Sequence, residues 1–139
     1  VAGKKEIIDT LTPGSEGSTF GGYPLASVVG VYAIKTLVDL KLAENARVRG
    51  AQLMNHFNDI KNEFPDKIKE TRGKGLLTAF EMHDEKHLDG HKVSVELLNQ
   101  GVYAKETHHS TVRVAPALTI ESQQVDNMAE KLYKVIKAL

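Results

Sequence analysis

Ile68-Lys-Glu-Thr-Arg-Gly-Lys-Gly-Leu-Leu-Thr-Ala-Phe-Glu-Met82 is where the character of this chain changes. Ile68 to Thr71 reads as a short strand, and Leu76 to Met82 carries enough β-favouring residues to be the next one. Arg72-Gly-Lys-Gly75 between them has the two glycines of a tight connection. A basic turn of this kind could also hold a phosphate, but a strand on each side already accounts for it as a turn.

Upstream of this point the pattern is helical. A helix over 43–64 has Leu42, Ala46, Leu53, Phe57 and Ile60 at core spacing and Arg47, Arg49, Asp59 and Lys61 outside, and Pro65-Asp66 stops it. Before it, residues 24–40 are apolar nearly all round: Leu25, Val28, Val29, Val31, Tyr32, Ile34, Leu37 and Val38. A helix apolar on most sides is buried on most sides. In a chain of 139 residues that points to a partner surface, from another domain or another subunit. Lys4 to Leu11 makes a short amphipathic turn or two on Ile7, Ile8 and Leu11, ended by Thr12-Pro13-Gly14.

Downstream, helices and strands alternate. His83 to Gly90 is a polar loop, and a helix over 91–99 on Val93, Val95, Leu97 and Leu98 ends at Gly101. Val102 to Lys105 and Thr111 to Val114 alternate as strands around the polar connection Glu106-Thr-His-His-Ser110. Glu121 opens the last helix, with Val125, Met128, Leu132, Val135 and Ile136 on one stripe. A helical first half followed by irregular alternation predicts a small mixed sheet covered by helices, of the α+β class.

Composition bounds the function. At 41% hydrophobic the chain can bury an independent core. Lys plus Arg and Asp plus Glu balance at 18 each, so no overall field favours nucleic acid or an anionic membrane. No cysteine is present, which excludes disulfides and thiolate chemistry, and no apolar run approaches the roughly 20 residues of a membrane span. The start at Val1-Ala2-Gly3, without methionine or a signal pattern, suggests a chain cut from something longer.

Two places could carry chemistry. Gly14-Ser-Glu-Gly-Ser-Thr-Phe-Gly-Gly-Tyr-Pro24 packs four glycines around Ser18 and Thr19, and Pro24 suits the first turn of a helix. A glycine-rich loop feeding a helix start can cradle an anion, although this one matches neither the P-loop nor the dinucleotide fingerprint. Arg113, in Thr111-Val-Arg-Val-Ala-Pro116, puts a guanidinium on a strand that is otherwise apolar. It is either a solvated edge charge or a bidentate carboxylate ligand. His83, His87 and His91 recur every four residues, yet Gly90 and the surrounding polarity argue against the helix that a metal site would need, so no metal is expected. His108-His109 is weaker still, because adjacent residues on a strand point apart.

Gly17-Ser-Thr-Phe-Gly-Gly with Pro24-Leu-Ala resembles the loop of class III aminotransferases that use pyridoxal 5'-phosphate (PLP). In that family the loop is presented to the neighbouring subunit of a homodimer, and its threonine, here Thr19, binds the cofactor phosphate, with Ser18 beside it. Ala104-Lys-Glu-Thr-His108, Val112-Arg-Val-Ala-Pro116 and Leu118-Thr-Ile resemble the C-terminal signature of the ornithine aminotransferases, in which the arginine matching Arg113 holds the substrate's α-carboxylate. Arg72-Gly-Lys-Gly75 matches a structural landmark of the family. The chain departs from the family at Tyr23, usually Asn, and at Ala117, usually a second proline.

The resemblance implies the C-terminal portion of a fold type I PLP enzyme. Residues 1–41 would be the tail of the large domain with the glycine loop and an interface helix, and 42–139 the small C-terminal domain with a mostly antiparallel sheet. The reaction implied is transfer of the δ-amino group of ornithine to 2-oxoglutarate. Acetylornithine or another ω-amino acid as substrate, or a non-catalytic module of the same fold, are the alternatives. The Schiff-base lysine is expected upstream of Val1, so this chain alone would be silent. The compartment implied is the cytoplasm or the mitochondrial matrix.

Overall fold

The computed structural model describes residues 3–12, 14–83 and 89–139. Pro13, Val1-Ala2 and the stretch 84–88, with His87 in it, lie outside the described residues. The chain divides into two compact units, Val1–Thr36 and Leu37–Leu139.

In the first unit, α1 (Lys5–Ile8) is a single turn, and the glycine loop leads into α2 (Pro24–Asp39), which runs on into the second unit. Pro24 takes the first helical position as expected, since its missing N–H has no partner to lose there. The Tyr23 carbonyl accepts the first intrahelical bond from Ser27 N at 3.0 Å and a second from Ser27 Oγ at 3.1 Å. No residue of α2 is buried.

The second unit is a four-stranded antiparallel sheet with helices on one face, α+β as expected. Its elements are α3 (Leu42–Glu63), β1 (Ile68–Lys74), β2 (Leu77–Met82), α4 (Gly90–Asn99), β3 (Lys105–Thr107), β4 (Thr111–Val114) and α5 (Ser122–Ala138). The strand order is β1-β2-β4-β3, every neighbour antiparallel. Phe80, Met82, Val112 and Val114 point to the helical face and join Leu53 and Phe57 of α3, Val93 and Leu97 of α4, and Val125, Leu132 and Ile136 of α5 in one core. Phe57 meets Phe80 edge to face, ring centroids 5.5 Å apart at 83°.

Helix ends follow local sequence. Glu121 is the N-cap of α5, forming a capping box with Gln124. Gly101, at φ 78°, closes α4 in a Schellman motif: Gly101 N donates to Leu98 O and Val102 N to Leu97 O, each at 2.8 Å. That motif corrects the expected strand over 102–105. The Val102 N–H is spent on the helix end, and the ladder begins only at Lys105, drawing Glu106 and Thr107 into β3.

The expected turn at Arg72-Gly-Lys-Gly75 is corrected too. Arg72, Gly73 and Lys74 belong to β1, and only Gly75, at φ 57°, and Leu76 make the turn. Gly75 serves φ, whereas packing requires the glycine at 50 in α3, which lies against it: a Cβ on Gly50 would stand 2.2 Å from the Gly75 carbonyl oxygen. Among the described residues no helix is long and apolar enough to cross a membrane.

Candidate functional site

The sheet of the second unit has an outer face, opposite its helices. Alternation along each strand decides which side chains reach it. Register sets Arg72, Ala79, Arg113 and Lys105 in one cross-strand row, and Glu70, Glu81, Thr111 and Thr107 in the next. Arg113 is thus outward because Val112 and Val114 are inward and fully packed. The charge on the apolar strand breaks no core.

The outer face holds two guanidiniums in different circumstances. Arg72 donates to Glu81 at 2.9 Å and to Thr111 Oγ1 at 3.3 Å, with Glu70 at 3.4 Å. Glu81 also accepts from Lys69 Nζ at 2.7 Å, which a register shift between Ile68 and Glu70 brings within reach. Lys69 first and then Arg72 hold the Glu81 carboxyl below its ordinary pKa. The Arg113 side chain is exposed and, among the described residues, has neither hydrogen bond nor ion pair. A groove of about 440 Å³ runs over this face, lined by Arg72, Lys74, Thr107, Thr111 and Arg113 among others, with no carboxylate among the described residues that line it. Chemically it is a place for an anion, with Arg113 as the unspent bidentate donor.

The glycine loop belongs to the first unit and is exposed throughout its described residues. Gly14 and Gly22 take φ of 87° and 76°, which only glycine adopts freely. Gly21 N donates to Ser18 O at 3.0 Å and Tyr23 N to Phe20 O at 3.1 Å, so the loop is a pair of tight turns. The Ser18 and Thr19 hydroxyls have no partner among the described residues. Neutral hydroxyls of this kind fit the phosphate edge of PLP, and no other part of the cofactor is matched by a residue of this loop.

The remaining candidates have other partners. His83 Nε2 lies 3.2 Å from the Pro65 carbonyl, and His91 Nδ1 lies 3.3 Å from Glu106. No group of three metal-ligating side chains assembles among the described residues. His108 and His109 both adopt positive φ in the β3–β4 turn, where the His109 carbonyl accepts from Gly90 N at 2.8 Å. Their role here is in the turn's backbone. Sequence reasoning missed Lys105, Thr107 and Glu81 as neighbours of the arginine row, and strand register, had it been known, would have named them.

Residues 1–136 match the sequence profile of the aminotransferase class-III family. The mitochondrial ornithine aminotransferase of Arabidopsis thaliana is 37% identical over 139 residues, which are 99% of this chain and 29% of that protein. The crystal structure of the Toxoplasma gondii ornithine aminotransferase superposes with a TM-score of 0.84 at 36% identity, covering 96% of this chain and 31% of the other. That of an acetylornithine aminotransferase from Elizabethkingia anophelis gives 0.83 at 33% identity, covering 96% and 33%. The chain therefore spans about a third of the proteins it matches. With the profile running over nearly all of its residues and its fold shared with such enzymes, this chain belongs to the class-III aminotransferase family.

Proposed function

We propose that this chain forms the carboxylate-binding, C-terminal part of a PLP-dependent aminotransferase that moves the δ-amino group of ornithine to 2-oxoglutarate. The observation that carries the reading is Arg113: an exposed guanidinium, unpaired among the described residues, on a groove with no carboxylate among its described lining residues. A five-donor planar fork with nothing to bind is a carboxylate receptor in waiting, and each charged hydrogen bond it forms contributes about 1.5–3 kcal/mol.

In this reading residues 1–41 are the tail of the large domain and 42–139 the small domain. Thr19, with Ser18, donates to the cofactor phosphate in the partner's site of a homodimer. PLP, when bound, supplies the electron sink that lets an amino group leave one carbon skeleton for another. The lysine that bonds it belongs to the part of the enzyme outside this chain. What these residues contribute is binding and orientation: Arg113 fixes one carboxylate, so that the reacting carbon is held at a set place. The proposed compartment is the cytoplasm or the mitochondrial matrix.

The Elizabethkingia anophelis structure favours a second reading, an acetylornithine or other ω-amino-acid aminotransferase, because its fold match is as good as that of the ornithine enzymes. A panel of amino donors on the full-length enzyme decides between them. A kcat/KM for ornithine at least tenfold above that for acetylornithine supports the first reading, and the reverse order supports the second. Absence of transfer with every ω-amino donor removes both.

A further inference from the structure

Arg113 has a second cation beside it. Lys105 of β3 stands directly opposite Arg113 of β4, and both are exposed on the outer sheet face. Directly opposed residues of an antiparallel pair have Cβ atoms about 4.5–5.5 Å apart, and like charges there work against the sheet. Among the described residues, nearby carboxylates do not relieve this pair. Glu81 is bound by Lys69 and Arg72, and Glu70 lies 3.4 Å from Arg72. Glu106, next to Lys105 in the chain, turns to the other face and meets His91 at 3.3 Å. Among the described residues neither Lys105 nor Arg113 has an ionic partner. Of the three cations in the row, the one at the β1 end is compensated and the two at the β3 end are not.

We propose that Lys105 is the second cation of the Arg113 carboxylate subsite and makes it selective for the 2-oxo acid over the amino acid. The inference rests on the reading of Arg113 as a carboxylate ligand. The two side chains have different parts: the guanidinium fork takes a carboxylate bidentately, whereas the ammonium is a mobile point charge that deepens the local positive field. That field sorts ligands by what stands next to the carboxylate. A 2-oxo acid carries a neutral carbonyl there, so both cations attract it. An α-amino acid carries an ammonium there, which Lys105 repels.

The test uses the full-length enzyme with K105Q, K105R and R113A, and measures KM for 2-oxoglutarate and for the amino donor at several ionic strengths. K105Q is expected to raise the KM for 2-oxoglutarate by about threefold or more at low salt, with the difference fading as salt screens the charge. Its change falls on KM more than on kcat, and the KM for the amino donor stays the same or falls. K105R keeps wild-type discrimination. Because K105Q removes a like-charge pair, its thermal midpoint is unchanged or higher, whereas a structural lysine would show a lower one.

A wild-type KM for 2-oxoglutarate in K105Q, with R113A raising it, overturns the inference and leaves the Arg113 reading intact. Equal rises for both substrates in K105Q, or a lowered midpoint, overturn it as well. If R113A itself changes neither KM, the carboxylate reading falls and the role of Lys105 falls with it.

Discussion

Arg72 and Arg113 stand in the same cross-strand row of the outer sheet face with Ala79 between them, and among the described residues only Arg72 of the two is neutralised. In the proposed reading the contrast is that between a structural arginine and a carboxylate-binding one. Arg113→Ala in the full-length enzyme is expected to raise the KM of the carboxylate substrate by at least about tenfold, the loss of one charged hydrogen bond or more. Its thermal midpoint should stay within a degree or so of wild type, because no partner is left behind. Arg72→Met should do the opposite, lowering stability by up to about 1 kcal/mol with little effect on KM. Steady-state kinetics and a thermal melt on both variants check the pair.

Gly50→Ala reverses a general expectation. In a helix interior alanine is ordinarily better than glycine by about 1 kcal/mol. Here the added methyl would lie 2.2 Å from the Gly75 carbonyl oxygen and 2.7 Å from its Cα, both backbone atoms that cannot swing aside. The substitution is expected to destabilise by about 3 kcal/mol through forced separation of α3 from the β1–β2 turn. A denaturant midpoint at or above wild type would show that the helix and the turn are farther apart than described.

Glu81 carries an acid-dependent part of the fold's stability. Its carboxyl is held below the ordinary value by hydrogen bonds from Lys69 and then Arg72. The folded state therefore binds its proton less readily than the unfolded chain does. The contribution is fully present above the unfolded carboxyl's range, about pH 4–5, and is lost as pH falls through the lowered folded value. Glu81→Gln should lower stability at neutral pH and flatten the acid limb of the stability curve, with the two proteins converging in acid. Parallel curves at every pH would show that Glu81 contributes nothing through its charge.

Thr19→Ala tests the glycine loop without touching the sheet. In the full-length enzyme, loss of one hydroxyl donor to a dianionic phosphate is expected to weaken PLP binding about tenfold. Thr19→Ser should retain most of the affinity. The measurement is cofactor dissociation from the holoenzyme followed by absorbance, and an unchanged dissociation constant in the alanine variant removes Thr19 from the phosphate site.

What could be read from the chain was local. The stripe Val125, Leu132, Val135, Ile136 announced α5, Gly101 announced the end of α4, and Pro24 announced the start of α2. Each of these is set within one or two turns of chain by periodicity, a cap or a fixed φ, and so lies in the sequence itself. Arg113 could be singled out there as a charge on an apolar strand, but not its surroundings. That Arg72 belongs to a strand and is neutralised, that Lys105 faces Arg113, and that Gly50 yields to Gly75 were decided by the tertiary structure. Strand register and helix-on-turn packing join residues 8 to 25 positions apart, and a one-residue slip of a strand would send Arg72, Lys105 or Arg113 to the other face. Only the shared core of α3, α4, α5 and the sheet excludes that slip.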